Sequence, residues 1–138
     1  MYQEERLNVM TPHQPCIVVV EDEPSVLELV RDVLRLDAYR VIGLSDPKYL
    51  FEMLHSLHPD LFLIDIMLPG MSGIEVAEAL REAGETAPIV TMSASKLMSR
   101  VASQSPAVDE SIDKAFDVMA LLNSIKWYLD RSSARVAE

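Results

Sequence analysis

The stretch LFLIDIMLPGMSG, residues 61–73, sets a carboxylate directly behind an apolar run. Leu61, Phe62, Leu63 and Ile64 are continuous rather than alternating apolar residues, which suits a strand buried on both faces. Asp65 stands at its carboxyl end, and Pro69 to Gly73 supply a turn signal. A helical stripe of Ile74, Ala77 and Leu80 follows Ser72-Gly73, and Gly84 is placed to end it. The unit is therefore strand, acid, turn, helix.

The same unit recurs on either side. CIVVV (16–20), RVIGL (40–44) and PIVTM (88–92) are further apolar, β-branched-rich runs, and ESID (110–113) is a weaker one. Between them lie amphipathic stripes. Val26, Leu27, Val30, Val33 and Leu34 follow Pro24, which suits a first helical turn. Leu50, Met53, Leu54 and Leu57 follow Asp46-Pro47. Leu97, Met98 and Val101 are weaker, and Val118, Leu121, Leu122, Ile125, Tyr128 and Leu129 form the longest. Five β-α alternations predict an α/β fold, doubly wound around a five-stranded parallel sheet. Residues 1–15 read as an N-terminal extension, 16–131 as the domain and 132–138 as a tail. The serine-rich stretch 93–111, broken by Pro106, is expected to be the least ordered part.

Composition narrows the function. With 138 residues the chain suits one domain with its own core. It lacks the roughly 20-residue apolar run of a membrane span. Its start, MYQEERLNVMTPHQP, has no signal-peptide pattern, so a cytoplasmic protein is expected. Cys16 is the single cysteine, which excludes an internal disulfide. His13 and Cys16 find no second pair to complete a zinc site. The net charge of −10 argues against nucleic acid; such an acidic surface mostly means solubility, and only secondarily attraction for basic partners or divalent cations.

In open α/β sheets the ligand site lies beyond the carboxyl ends of the strands. Glu21, Asp22 and Glu23 follow the first strand, Asp65 the third, Ser93 the fourth and Lys114 the fifth. Each has an ordinary reading alone: an acidic first turn, a turn aspartate, a capping serine, a surface lysine. Together they form a constellation. Crowded carboxylates raise one another's pKa values, and a divalent cation relieves that conflict. Mg²⁺ favours one or two carboxylates, waters and a phosphate oxygen. The chemistry this suggests is phosphoryl transfer to a carboxylate nucleophile, with Lys114 and Ser93 on the remaining phosphoryl oxygens.

From Cys16 to Arg131 the chain resembles the receiver domain of two-component response regulators. IVVVEDEP resembles the family's first strand and acidic pair, and LIDIMLPGMSG its phosphoacceptor motif. IVTMSA resembles the fourth strand, and DESIDKAFD the fifth strand ending in lysine. The resemblance implies a flavodoxin-like strand order of 2-1-3-4-5. It implies that Asp65 is the phosphoacceptor, and that Asp22 ligates Mg²⁺ directly while Glu21 helps through water. Met67 would offer its backbone carbonyl, Ser93 a hydroxyl and Lys114 an ammonium. The donor would be a phosphohistidine on a sensor histidine kinase or histidine phosphotransfer protein. The recipient would be a downstream protein, and a homodimer through the face of helix 4, strand 5 and helix 5 is a further expectation. Neither nucleic acid nor membrane is expected as a partner. Such a bacterial phosphorelay module is not an enzyme beyond catalysing its own phosphorylation and dephosphorylation.

Three departures from the family matter. Ala115 stands where proline usually follows the lysine, and a cis bond without proline costs about 2.5–4 kcal/mol, so Lys114-Ala115 should be trans. Ser111 stands where an aromatic switch is usual. The approach to the fifth strand, SQSPAVDES, has no glycine. Coupling to the helix 4–helix 5 face is therefore expected to be weak or to take another route. Met67 and Ser95 stand where the family tunes phosphoryl lifetime, and neither suits orienting a water, so slow self-dephosphorylation is expected. The chief alternative is a pseudo-receiver that binds partners without phosphorylation. An aspartate-nucleophile phosphohydrolase would want an acid at Met67, and a dinucleotide site would want glycine in VVVEDEPS. Only SSARVAE follows the last helix, which fits a stand-alone receiver or a segment of a longer regulator.

Overall fold

A computed structural model describes residues 14–114 and 118–137. Five strands form one sheet: β1 (Cys16–Val20), β2 (Arg40–Leu44), β3 (Leu61–Asp65), β4 (Ile89–Ser93) and β5 (Glu110–Asp113). Five α-helices alternate with them: α1 (Pro24–Leu36), α2 (Pro47–Met53), α3 (Gly73–Glu82), α4 (Lys96–Ser103) and α5 (Val118–Ala137). The strand order is β2-β1-β3-β4-β5, and every pairing is parallel. The expected fold class and order are both met.

The continuous apolar runs are explained by helices on both faces. Every residue of β1, β3 and β4 is buried, whereas β2 and β5 are the half-buried edges. On one face Ile17, Val19, Leu61, Leu63, Val90 and Met92 pack with Val30 and Leu34 of α1 and Leu121, Ile125 and Leu129 of α5. On the other, Val18, Val20, Phe62 and Ile64 pack with Leu50 of α2 and Val76, Ala77 and Leu80 of α3. Successive strand residues point to opposite faces, so one run feeds both layers.

Local chemistry sets the helix starts. Pro24 and Pro47 occupy first turns. Asp46 accepts from Lys48 N at 2.8 Å, and Ser72 accepts from Glu75 N at 3.2 Å. Gly84, at φ +93°, ends α3 in the left-handed conformation that glycine adopts without strain.

Some boundaries differ from expectation. β4 begins at Ile89 rather than Pro88 and includes Ser93. Helix α2 stops at Met53, and Leu54–Ser56 tighten into a 3₁₀ turn. The stripe expected on α4 is not its core face: Leu97 and Val101 are exposed and Ala102 is buried. The stretch 93–111 is a capped helix and bonded turn, with Ser105 N on Ala102 O and Val108 N on Ser105 O. Helix α5 runs to Ala137, so residues 132–137 continue the helix where a tail was expected. The Lys114-Ala115 peptide and residues 1–13 lie outside the described residues.

Candidate functional site

Register brings the acids together. Val20 pairs with Ile64, so Glu21 and Asp65 each stand one residue further along neighbouring strands. Asp65 pairs with Met92 and Ser93 with Asp113, which sets Ser93 beside Asp65 and Lys114 beyond the end of β5. Lys114 N donates to Ser93 O at 2.9 Å, holding the lysine against β4.

Asp65 is almost fully buried. One carboxylate oxygen, Oδ2, accepts from Lys114 Nζ at 2.9 Å, and Oδ1 accepts from the Met67 amide at 3.1 Å. Glu21 is wholly buried. Its Oε2 accepts from Glu23 N at 3.2 Å, and its Oε1 lies 2.7 Å from Lys114 Nζ. That contact is close but lacks hydrogen-bond alignment, so Oε1 is a buried oxygen without a directed donor. One ammonium thus serves two buried carboxylates. Burial raises the Glu21 pKa to about 7, with Lys114 opposing the rise and Asp65 reinforcing it. Burial lowers the Lys114 pKa, but its close pairing with the Glu21 and Asp65 carboxylates outweighs that and raises it overall.

Asp22 is exposed at the rim of this cluster. Oxygens of Glu21, Asp22 and Asp65 all lie within 4.8 Å of one another. This set fits a hard divalent cation: three oxygen donors, more negative charge than one lysine balances, and the under-bonded Glu21 Oε1.

The turn after Asp65 is built for close approach. Gly73 N donates to Ile66 O at 2.8 Å. A Cβ on Gly73 would collide with Asp65 O and stand 2.8 Å from Ile66 Cα. Only glycine lets α3 start this near the acid. Met67, two residues past Asp65, points its side chain largely into solvent.

The hydroxyls form two links that spacing alone did not reveal. Ser93 Oγ accepts from Ser95 N at 3.0 Å, and Ser95 Oγ accepts from Met98 N at 3.2 Å as the cap of α4. Thr91 Oγ1 donates to Ser111 Oγ at 2.9 Å, across the register pair Thr91–Ser111. The other missed residue is Arg81, at the opposite end of the sheet. It donates to Ala107 O, Glu85 O, Ala87 O and Asp109 Oδ2, and Asp109 Oδ2 also accepts from Ile89 N. Ser72 and Ser95 carry readable cap signals; the side-chain links across strands carry none.

Comparison with known proteins agrees with this architecture. Residues 17–126 match the family described as "Response regulator receiver domain". The chain is 33% identical over 123 residues to the DNA-binding response regulator MtrA of Mycolicibacterium smegmatis, covering 88% of this chain and 54% of that protein. It is 33% identical over 117 residues to the response regulator MprA of Mycobacterium ulcerans, covering 84% and 50%. The chain thus spans about half the length of these curated relatives. The response regulator TrrA of Thermotoga maritima, solved in complex with Mg²⁺ and beryllofluoride, superposes with a TM-score of 0.76 at 30% identity. That match covers 83% of this chain and 99% of TrrA. A CheY-like receiver domain protein from Methanospirillum hungatei shares the fold, with a TM-score of 0.81 at 23% identity, over 89% and 99% of the two chains. The chain belongs to the response regulator receiver domain family.

Proposed function

We propose that the domain is a phosphoacceptor switch whose Asp65 takes a phosphoryl group from a phosphohistidine on a sensor histidine kinase or histidine phosphotransfer protein. The observation that carries this is the placing of a buried carboxylate between a lysine and a second, metal-competent acid. A carboxylate oxygen of Asp65 attacks phosphorus, the phosphorus–nitrogen bond breaks, and the donor imidazole leaves with its electron pair. Lys114 Nζ, already 2.9 Å from Asp65, pairs with one phosphoryl oxygen. Ser93 donates its hydroxyl to another. Asp22, Asp65 and the Met67 backbone carbonyl would hold Mg²⁺, with Glu21 helping through water. Bound there, Mg²⁺ neutralises charge on the transferring group. Self-catalysed transfer and later hydrolysis make this a switch rather than an enzyme with a turnover substrate. Hydrolysis is slow, because Met67 has no polar atom to orient water and Ser95 Oγ is committed to capping α4.

Residues 16–131 form the switch unit, acting in the bacterial cytoplasm. Among the described residues, no helix is long and apolar enough to cross a membrane. The output surface is the face of α4, β5 and α5, where a downstream protein or a second copy docks. Trp127 is half-exposed there, edge-on to Tyr128 and stacked under Arg131 at 4.2 Å. Nucleic acid is not a partner of this segment.

The test is incubation with acetyl phosphate and Mg²⁺, read by intact mass. One added phosphoryl group, absent without Mg²⁺ and absent in Asp65→Asn, is the expected result. An unmodified parent protein would favour a phosphorylation-independent binding module.

A further inference from the structure

We propose that residues 5–10 of the N-terminal extension add to the free edge of β2 as a sixth, antiparallel strand. Strand β2 ends the sheet, with β1 as its one neighbour among the described residues. Arg40 N donates to Pro15 O at 2.9 Å, and Leu44 O accepts from Glu21 N at 3.0 Å. Arg40, Ile42 and Leu44 therefore turn their N–H and C=O groups to β1, while Val41 and Gly43 turn theirs outward. Among the described residues, nothing bonds to those outward groups. Such an edge is a template for a further strand.

The path of the chain leads there. Gln14 Nε2 donates to Ala38 O at 2.7 Å, so the extension leaves β1 across the turn that enters β2. Reaching the far side of β2 takes two strand spacings, about 10 Å, which three extended residues, 11–13, can span. Residues 5–10, ERLNVM, then alternate: Leu7 and Val9 fall on one face, Arg6 and Asn8 on the other. Paired antiparallel, Val9 falls beside Val41 and Leu7 beside Gly43, so each outward N–H and C=O finds a partner. Leu7 and Val9 then share the α1 face with Val41, which packs against that core.

Charge selects this occupant over a second copy. Arg31 of α1 reaches over Gly43, where an added Cβ would collide with its Nη2. The Arg31 Nε is buried and has no hydrogen-bond partner among the described residues. Two copies of β2 paired antiparallel would set two Arg31 guanidinium groups on neighbouring positions of one face, like charge against like. The extension brings an acid instead. With Leu7 beside Gly43, Glu5 is the next residue on that same face, a diagonal neighbour within the reach of a long side chain.

Amide hydrogen exchange of the intact chain, read by NMR at two protein concentrations, tests this. The Val41 and Gly43 amides are expected to be protected, equally at both concentrations. Ile42 and Leu44, which face β1, report that the sheet is intact. In a variant lacking residues 1–10, Val41 and Gly43 should exchange about tenfold faster or more, with Ile42 and Leu44 unchanged. Val9→Pro, which keeps the chain length but removes the donor facing Val41 O, should also release the Val41 amide. Rapid exchange at Val41 and Gly43 in the intact chain overturns the proposal. So does protection that survives either variant, and so does protection lost on dilution, which marks a second copy as the occupant.

Discussion

Glu21 is the residue whose environment departs furthest from that of an ordinary carboxylate. Its folded pKa, raised to about 7 from 4.5, means that the folded chain binds a proton there more tightly than the unfolded chain does. Stability from that proton is complete below 4.5 and is lost as pH rises through about 7. Urea titrations in chelator-treated buffer should therefore show stability falling across that window, and Glu21→Gln should flatten the slope. A Mg²⁺ ion bound at the proposed site would compete with the same proton, so its affinity should rise with pH over the same range. A pH-independent stability in the parent would contradict this account. Lys114 is the counterpart. Replacing it with methionine leaves two buried acids without their ammonium, at a cost on the order of 3 kcal/mol read from the denaturation midpoint above pH 7. The sequence alone singles out Glu21, Asp65 and Lys114, because each stands at or just past the carboxyl end of a strand. Glu21's complete burial was not readable, since EDE reads equally as a solvated first turn.

At the level of elements, two backbone positions make opposite predictions. Gly73 begins α3 against the backbone of Asp65 and Ile66. Gly73→Ala should cost about 1–3 kcal/mol by overpacking, and should slow acetyl-phosphate labelling of Asp65, since the acid itself must shift. Ala38 ends α1 at φ 65°, a left-handed conformation that strains a side chain. Ala38→Gly should raise thermal stability by up to about 1 kcal/mol without changing labelling. The motif MSG announces the first position. Nothing announces the second, because alanine carries no turn signal. Strand runs were legible for a simple reason: residues buried on both faces must be apolar at every step. Helix α4 was legible only as a weak stripe, and its core face was misplaced: Leu97 and Val101 are exposed, while Ala102 is buried. The Thr91–Ser111 link joins residues 20 apart in sequence and depends on strand register.

Across the whole molecule, the parallel order explains why charge collects at one end of the sheet. All strands deliver their carboxyl ends to the same edge, and β1 and β3 deliver Glu21, Asp22 and Asp65 side by side. The other end is fastened by Arg81, which ties α3 to the segments entering β4 and β5. Its four bonds replace the conformational freedom that a glycine-rich approach to β5 would give. The central claim is that Asp65 alone carries the phosphoryl group. The direct measurement is borohydride reduction of the protein after acetyl phosphate and Mg²⁺ treatment, followed by peptide mass mapping. Reduction of an acyl phosphate converts aspartate to homoserine, and the account predicts homoserine at position 65 only. Homoserine at Asp22 or Asp113, or none at all in the parent protein, would contradict it.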